Sequence, residues 1–280
     1  MNLPENRPLD VVVPHELERV KRLLSQDLKI KRKAEGQPKA ILLGGQPASG
    51  KTKLIRYLKA NSRTDFVVIN GDEYREYHPS YKQIQAYYGL EAPNKTQEFS
   101  NTLVEFIKQE CLRRKLNFII EGTMRTYNVI ESTAKEACNH GFKAEAHVLA
   151  IHSDDSYLGI FQRYEGEIGF YGYGRFSPLS SHNEAYQQIP VNLQKASEQQ
   201  LFDQITVYCR DETDTVKPAH SSEKGEMVNF TALFDQIRQP QLSSALYSQK
   251  WQTLHQQALQ RGENNPDYLR YITDFCTQYA

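Results

Sequence analysis

"KAILLGGQPASGKT", residues 39–52, is the stretch that decides the fold. A short apolar run, Ala40 to Leu43, reads as a buried strand. It enters a glycine-containing loop, and "KTKLIRYLKA" from Lys51 onward spaces its apolar residues as a helix does. Gly45 through Thr52 satisfies G-x-x-x-x-G-K-[ST] in full, between a strand and a helix. Phosphate binding needs this arrangement. Glycines let the backbone wrap closely enough for its N–H groups to point at phosphate oxygens, and the following helix adds the positive end of its dipole. The motif therefore predicts a phosphate cradle of Gly45, Gln46, Pro47, Ala48, Ser49, Gly50, Lys51 and Thr52. Lys51 would reach the β- and γ-phosphates of ATP, and the Thr52 hydroxyl would ligate Mg²⁺. A P-loop by itself leaves kinase, ATPase, GTPase and binding module open.

Outward from the loop, strands and helices alternate. Before it, apolar residues from His15 to Lys33 are helically spaced and stop ahead of Gly36 and Pro38; "LKIKRK" at 28–33 reads as the solvated end of that helix. After it come a strand "DFVVIN", an amphipathic helix over 96–115, a strand "LNFIIEG", a helix through "ESTAKEACNH" and a strand "FKAEAHVLAI". This order predicts an α/β fold with a central, mostly parallel sheet covered by helices. "GEIGFYGYGRFSP" at 166–178, with four glycines and four aromatics in thirteen residues, reads as a mobile loop or lid. A helix near 182–198 and a strand "FDQITVYCR" follow, and beyond Pro218 the chain is Gln-rich and helical with no further strand signal. The expected division is an N-terminal helix (1–36), a P-loop core (37–217) with a lid at about 166–180, and a helical C-terminal extension (218–280) packed on the core.

The 280 residues can bury a sizeable core. Thirty-four basic and 34 acidic residues cancel, so no bulk field draws the chain to nucleic acid or an anionic membrane, and any anion must be held by a local cluster. Cys111, Cys138, Cys209 and Cys276 form no C-x-x-C pair, which argues against a zinc site or a disulfide framework. The first twenty residues have no apolar core of signal-peptide length, and no segment approaches the roughly 20 apolar residues that span a bilayer. The expectation is a cytoplasmic protein with reduced thiols.

Two carboxylates fall on the P-loop's edge of the sheet. Asp72 follows the second strand in "VVINGDEYREYHPSY" (67–81), and Glu121 ends the third. Ligands of open parallel sheets sit at the carboxyl ends of the strands, where Lys51 and Thr52 also lie. Asp72 is also a residue type preferred at a helix N-cap. Glu73 beside it would point elsewhere on a starting helix. His78 before Pro79 reads as structural and Arg75 as a surface residue. Arg163 and Arg175 flank the glycine–tyrosine stretch, where planar donors on a closing lid would stabilise a transferring phosphoryl group.

"LLGGQPASGKT", "INGDEYREYHP", "IIEGTMRT", "SYLGIFQRYE" and "GRFSPLSSHNEAYQQIPVNL", in this order over about residues 38–215, resemble the zeta-toxin family of P-loop kinases. The resemblance implies a toxin of a toxin–antitoxin system, with a possible antitoxin partner. The implied reaction moves the ATP γ-phosphate to the 3′-hydroxyl of the amino sugar of UDP-N-acetylglucosamine, which blocks peptidoglycan precursor synthesis. By motif, Asp72 matches the base that deprotonates the sugar hydroxyl, and Glu121 the glutamate near that hydroxyl and the metal. Glu105, Thr123, Arg125 and Thr133 match contacts to the sugar nucleotide, and Arg163 and Arg175 the arginines on the transferring phosphate. Ala48 departs from the glycine of many relatives and is tolerable if its φ is negative. The lid is richer in glycine and tyrosine than the family pattern. Two alternatives remain at this point: a P-loop kinase of similar layout acting on another hydroxyl, and a nucleotide-gated interaction protein without transfer chemistry. Retention of Lys51, Asp72, Glu121, Arg163 and Arg175 speaks against the last.

Overall fold

The computed structural model describes residues 8–211 and 213–279; residues 1–7 of the stretch read above for a signal-peptide core lie outside that range. One six-stranded sheet runs in the order β2-β3-β1-β4-β5-β6. The strands are β1 (Lys39–Gly44), β2 (Val67–Asn70), β3 (Phe118–Glu121), β4 (Lys143–Leu149), β5 (Gln204–Arg210) and β6 (Val216–Glu223). The first five are parallel and β6 pairs antiparallel with β5.

The helices are α1 (Pro14–Asp27), α2 (Lys51–Ala60), α3 (Gly71–Tyr74), α4 (Tyr81–Tyr88), α5 (Ala92–Lys95), α6 (Gln97–Arg114), α7 (Tyr127–Asn139), α8 (Ser153–Tyr171), α9 (Leu179–Glu198), α10 (Phe230–Ile237), α11 (Ser244–Gln260) and α12 (Pro266–Gln278). Register sets which residues each layer buries. Ala40 and Leu42 of β1 share a face with Phe118 and Ile120 of β3 and with Ala144 and Ala146 of β4. That face packs on α1 and α6 at one side and on α7, α9 and α10 at the other. Ile41, Leu43, Ile119 and Leu149 face the other way, onto Leu54, Ile55 and Leu58 of α2. Strands covered on both faces read as continuous apolar runs, which is why "KAILLG" carries no alternation. A further cluster lies beyond the sheet, where Trp251, Tyr268 and Ile272 of α11 and α12 pack on Leu158, Phe161 and Tyr164 of α8.

Three expectations are corrected. The first half of the presumed lid is helix: α8 runs on to Tyr171 and only 172–178 is a loop. Gly166 and Gly169 sit in α8 with nothing within 4 Å of where a Cβ would lie, so they are permitted rather than required. The helix stops at Gly172, whose left-handed φ of 78° lets its N–H reach Ile168 O. Second, the C-terminal region contains a strand. In β6 only Val216 and Ser222 are buried, so no period-2 apolar signal exists to be read. Its Pro218 stands opposite Tyr208 on this edge, beside a register irregularity at Val207/Tyr208. Third, the first helix ends at Asp27, and Leu28–Ile30 form a short 3₁₀ turn that buries Leu28 while Ile30 is exposed.

Candidate active site

The carboxyl ends of β1, β2 and β3 open into a cavity of about 500 Å³. Lys51, Asp72, Glu121, Thr123, Arg125, Thr133, Arg163 and Arg175 all line it. Eight residues drawn from six separate segments of chain thus meet at one place. Two others do not. Glu105 lies outside the cavity wall, with its carboxylate on Lys108 Nζ at 2.8 Å and Gln109 Nε2 at 2.7 Å, whereas Asn101 and Val104 of the same helix line the cavity. Thr52 is exposed on the first turn of α2.

The P-loop is held by its own side chains as well as its backbone. Gln46 is fully buried and donates through Nε2 to Ile151 O at 2.7 Å and to Ser156 Oγ at 3.3 Å, tying the loop to the β4–α8 junction. Its side chain therefore serves the protein rather than a nucleotide. Ser49 N–H donates to Gln46 O at 3.1 Å, and Gly50 precedes α2 at φ 102°, a left-handed conformation suited to glycine. The condition under which Ala48 would replace glycine without cost, a negative φ, is not met: it stands at φ 58°. A left-handed L-residue costs about 1–2 kcal/mol. Close packing accompanies it, since a Cβ on Gly159 of α8 would lie 3.1 Å from the Ala48 methyl.

Lys51 Nζ donates to Gly45 O at 3.0 Å and Gln46 O at 3.2 Å, and lies 3.9 Å from Glu121 Oε1. Burial lowers its pKa, and the Glu121 and Asp72 charges oppose that. Glu121 is pushed the other way. Burial raises its pKa and the nearby Asp72 and Glu73 charges add to the rise, while Lys51 resists it. Its buried Oε2 has no hydrogen-bond partner among the described residues.

The cap of α3 is Asn70, not Asp72: Asn70 Oδ1 accepts from Asp72 N–H at 3.0 Å. The Asp72 side chain is thereby released from capping. Glu73 accepts from Asn70 Nδ2 at 3.2 Å, away from the cavity lining. Asp72 Oδ1 accepts from Arg75 Nε at 3.1 Å. Burial among protein groups pushes the Asp72 pKa up, but the charge and hydrogen bond of Arg75, with help from Arg163 and Lys51, outweigh it and hold the carboxyl below its ordinary value. Arg75 corrects its surface reading, being only 7% exposed. Its spacing of three from Asp72 was the available signal, because residues three apart on a helix share a face. His78 is structural as expected: its Nδ1 accepts from Ser80 N–H at 3.1 Å and its ring meets Phe99 edge-on.

Two arginines approach from α8 and the loop after it. Arg163 Nη2 donates to Ser177 Oγ at 2.7 Å, and among the described residues its buried Nε has no hydrogen-bond partner. Arg175 is gripped by Glu167, with Nη2 to Oε1 at 2.7 Å and the Arg175 N–H to Oε2 at 2.7 Å. Across the cavity, Met124 at φ 53° is fixed by Asn192 Nδ2 donating to its carbonyl at 3.0 Å, and Arg125 pairs with Glu184 at 3.3 Å.

The sequence profile described as Zeta toxin matches residues 24–221. The chain belongs to the zeta-toxin family. Among curated relatives, Toxin PezT of Streptococcus pneumoniae serotype 4 is 33% identical over 182 residues, 64% of this chain and 72% of the relative. Toxin zeta of Enterococcus hirae is 30% identical over 202 residues, 69% of this chain and 71% of the relative. A solved structure from the PezAT chromosomal toxin–antitoxin system of Streptococcus pneumoniae superposes with a TM-score of 0.73 at 24% identity, covering 92% of this chain and all of the other. The sheet and its flanking helices are therefore those of a zeta-toxin P-loop fold. Every cavity residue named above lies inside the matched span, whereas α11 and α12 lie outside it. Those two helices nevertheless hold this zeta toxin's α8: Arg261 donates to Glu165 at 2.8 and 3.0 Å, Tyr268 Oη donates to Glu165 Oε1 at 2.5 Å, and Tyr247 Oη donates to Asp155 Oδ1 at 2.7 Å. Among the described residues no helix is long and apolar enough to cross a membrane.

Proposed function

We propose that this zeta-toxin family member is an ATP-dependent phosphotransferase acting on a sugar hydroxyl of a nucleotide sugar. The substrate we assign is UDP-N-acetylglucosamine, phosphorylated on the 3′-hydroxyl of its amino sugar, so that peptidoglycan precursor synthesis stalls in the cytoplasm. The observation that carries the reading is one cavity with a P-loop lysine, Asp72 and two arginines on its walls.

The chemistry assigned to each group follows from its setting. The γ-phosphate of ATP lies on the Gly45–Thr52 cradle against Lys51. Asp72 is ionised, open to the cavity on one side and free of capping duty, which suits a general base that accepts the proton of the attacking hydroxyl. Arg163 and Arg175 face the charge that spreads over the moving phosphoryl oxygens. Thr123, Arg125 and Thr133 form the acceptor wall; Glu105 is the least supported of the family-implied contacts, since Lys108 and Gln109 occupy its carboxylate. Mg²⁺ is assigned by the P-loop motif: Thr52, on the first turn of α2 beside the cavity lysine Lys51, would supply one hydroxyl oxygen, and such ions take one or two protein oxygens plus phosphates. When bound it would neutralise phosphate charge. An antitoxin partner is proposed from the toxin–antitoxin system of the PezAT relative.

The test is product analysis with γ-labelled ATP and UDP-N-acetylglucosamine, locating the new phosphate by NMR. Label on the 3′-oxygen, lost in Asp72→Ala and Lys51→Ala variants that melt like the parent, supports the proposal. Transfer to a different hydroxyl would leave a kinase of another acceptor, and ATP turnover indifferent to any acceptor would refute phosphotransfer.

A further inference from the structure

We infer that Arg75 is the positioning residue of this site: its guanidinium holds one oxygen of Asp72 and locks it to the α5–α6 corner of the cavity. The inference rests on Asp72 being the base, as proposed above.

The geometry uses the planar fork of arginine in full. Nε donates to Asp72 Oδ1 at 3.1 Å, Nη1 to Pro93 O at 2.5 Å and Thr96 Oγ1 at 2.9 Å, and Nη2 to Gln97 Oε1 at 2.6 Å. Four hydrogen bonds leave in three directions from one rigid group, so the angle between the carboxylate and the corner cannot drift independently. Pro93 and Gln97 themselves line the cavity. A second tie runs alongside, with Ser100 Oγ donating to Gly71 O at 2.6 Å, so α6 holds α3 at both ends, at Gly71 and at Arg75 just past Tyr74. The Arg75 side chain is 8% exposed while that of Asp72 is 57% exposed toward the cavity, so the clamp is buried and the working carboxylate is open. Among the described residues only Oδ1 is engaged, which leaves Oδ2 for the acceptor proton. A lysine could supply the charge, but its single ammonium cannot reproduce the fork.

The other charges facing Asp72 come from separate elements: Lys51 on α2, Glu121 on β3, Arg163 on α8 and Arg175 on the following loop. Arg75 is the one in direct hydrogen-bond contact, so its removal should be felt in both position and protonation.

The experiment measures kcat, KM for ATP and the pH profile of full-length Arg75→Gln, Arg75→Lys and Gln97→Met beside Asp72→Asn. A base misplaced by about 1 Å loses about 10²-fold in rate. Arg75→Gln should lose kcat on that scale with KM for ATP unchanged, and its acid limb should move to higher pH. Arg75→Lys should keep the wild-type acid limb yet recover only part of kcat. Gln97→Met, which removes one arm and no charge, should lower kcat less and leave the acid limb in place; it decides the matter if Arg75→Gln does not fold. Wild-type kcat and acid limb in a folded Arg75→Gln, beside an inactive Asp72→Asn, overturn the positioning role alone. Retained turnover in Asp72→Asn overturns the base assignment and this inference together.

Discussion

Gly174→Ala should cripple this enzyme although the substitution adds one methyl group. A Cβ at Gly174 would stand 2.6 Å from Tyr164 O, 2.7 Å from Tyr164 Cδ2 and 3.1 Å from Ile168 Cγ1. A carbon meeting a carbonyl oxygen rests at about 3.3–3.6 Å, so the loop must withdraw by roughly 0.7–1 Å. The obstacle is backbone of α8, which the α11–α12 pair holds through Glu165, so the loop rather than the helix has to give. The next residue is Arg175. Overpacking of this kind costs about 1–3 kcal/mol, and a displacement of about 1 Å at a phosphate-facing arginine costs about 10²-fold in rate. The informative control is the same substitution five residues earlier. Gly169 is an exposed position inside α8 with nothing within 4 Å of its Cβ site, so Gly169→Ala should stabilise by about 0.5–1 kcal/mol and keep wild-type turnover. Urea unfolding and phosphotransfer on both variants make the comparison. A Gly174→Ala protein with parental stability and turnover would refute the close-approach argument; equal loss in both variants would mean that glycine flexibility throughout 166–178 matters instead.

Two further predictions concern the frame. Tyr268→Phe removes the phenol that donates to buried Glu165 while Arg261 stays, and hydrogen bonds to a charged partner are worth about 1.5–3 kcal/mol; unchanged urea stability would show that the hairpin is not anchored there. Glu145 titrates low, at about 2 against 4.5: burial pushes its carboxyl up, but hydrogen bonds from His147 and Lys39 and their charges outweigh it. Its contribution is therefore complete above pH 4.5 and disappears as pH falls toward 2. At about 1.4 kcal/mol per pKa unit, and discounted for the half-exposed Lys39, it amounts to about 2 kcal/mol. Glu145→Gln should flatten the acid side of the stability curve, and an unaltered acid slope would contradict that.

Much of the site was legible because its chemistry is local. The Gly45–Thr52 loop needs close backbone turns and a helix start, and those constraints are written in consecutive residues. Asp72 and Glu121 were legible for a related reason: each ends or follows a parallel strand, and strand ends share one rim whatever the loops do. What escaped was anything whose partner lay far along the chain. Arg75 read as surface because its acceptors, Pro93, Thr96 and Gln97, come from the α5–α6 corner about twenty residues on. The strand at 216–223 escaped because its backbone hydrogen bonds to β5 hold it, not its side chains. The lid was overestimated because glycine composition does not distinguish a helix that tolerates Gly166 and Gly169 from a loop that requires Gly172 and Gly174.

By itself, the order of residues determined that a phosphate cradle sits on a parallel sheet and that carboxylates and arginines are available near it. Only the tertiary structure decided which of them meet. It joined Lys51, Asp72, Glu121, Arg163 and Arg175 in one cavity, left Glu105 outside, and tied Asp72 through Arg75 to the α5–α6 corner. The physical reason is range. Propensity and turn chemistry act over a few residues, whereas Asp72 is held by an Arg75 that the α5–α6 corner fixes from about twenty residues on, with Arg163 of α8 and Lys51 of α2 adding their charges across the fold.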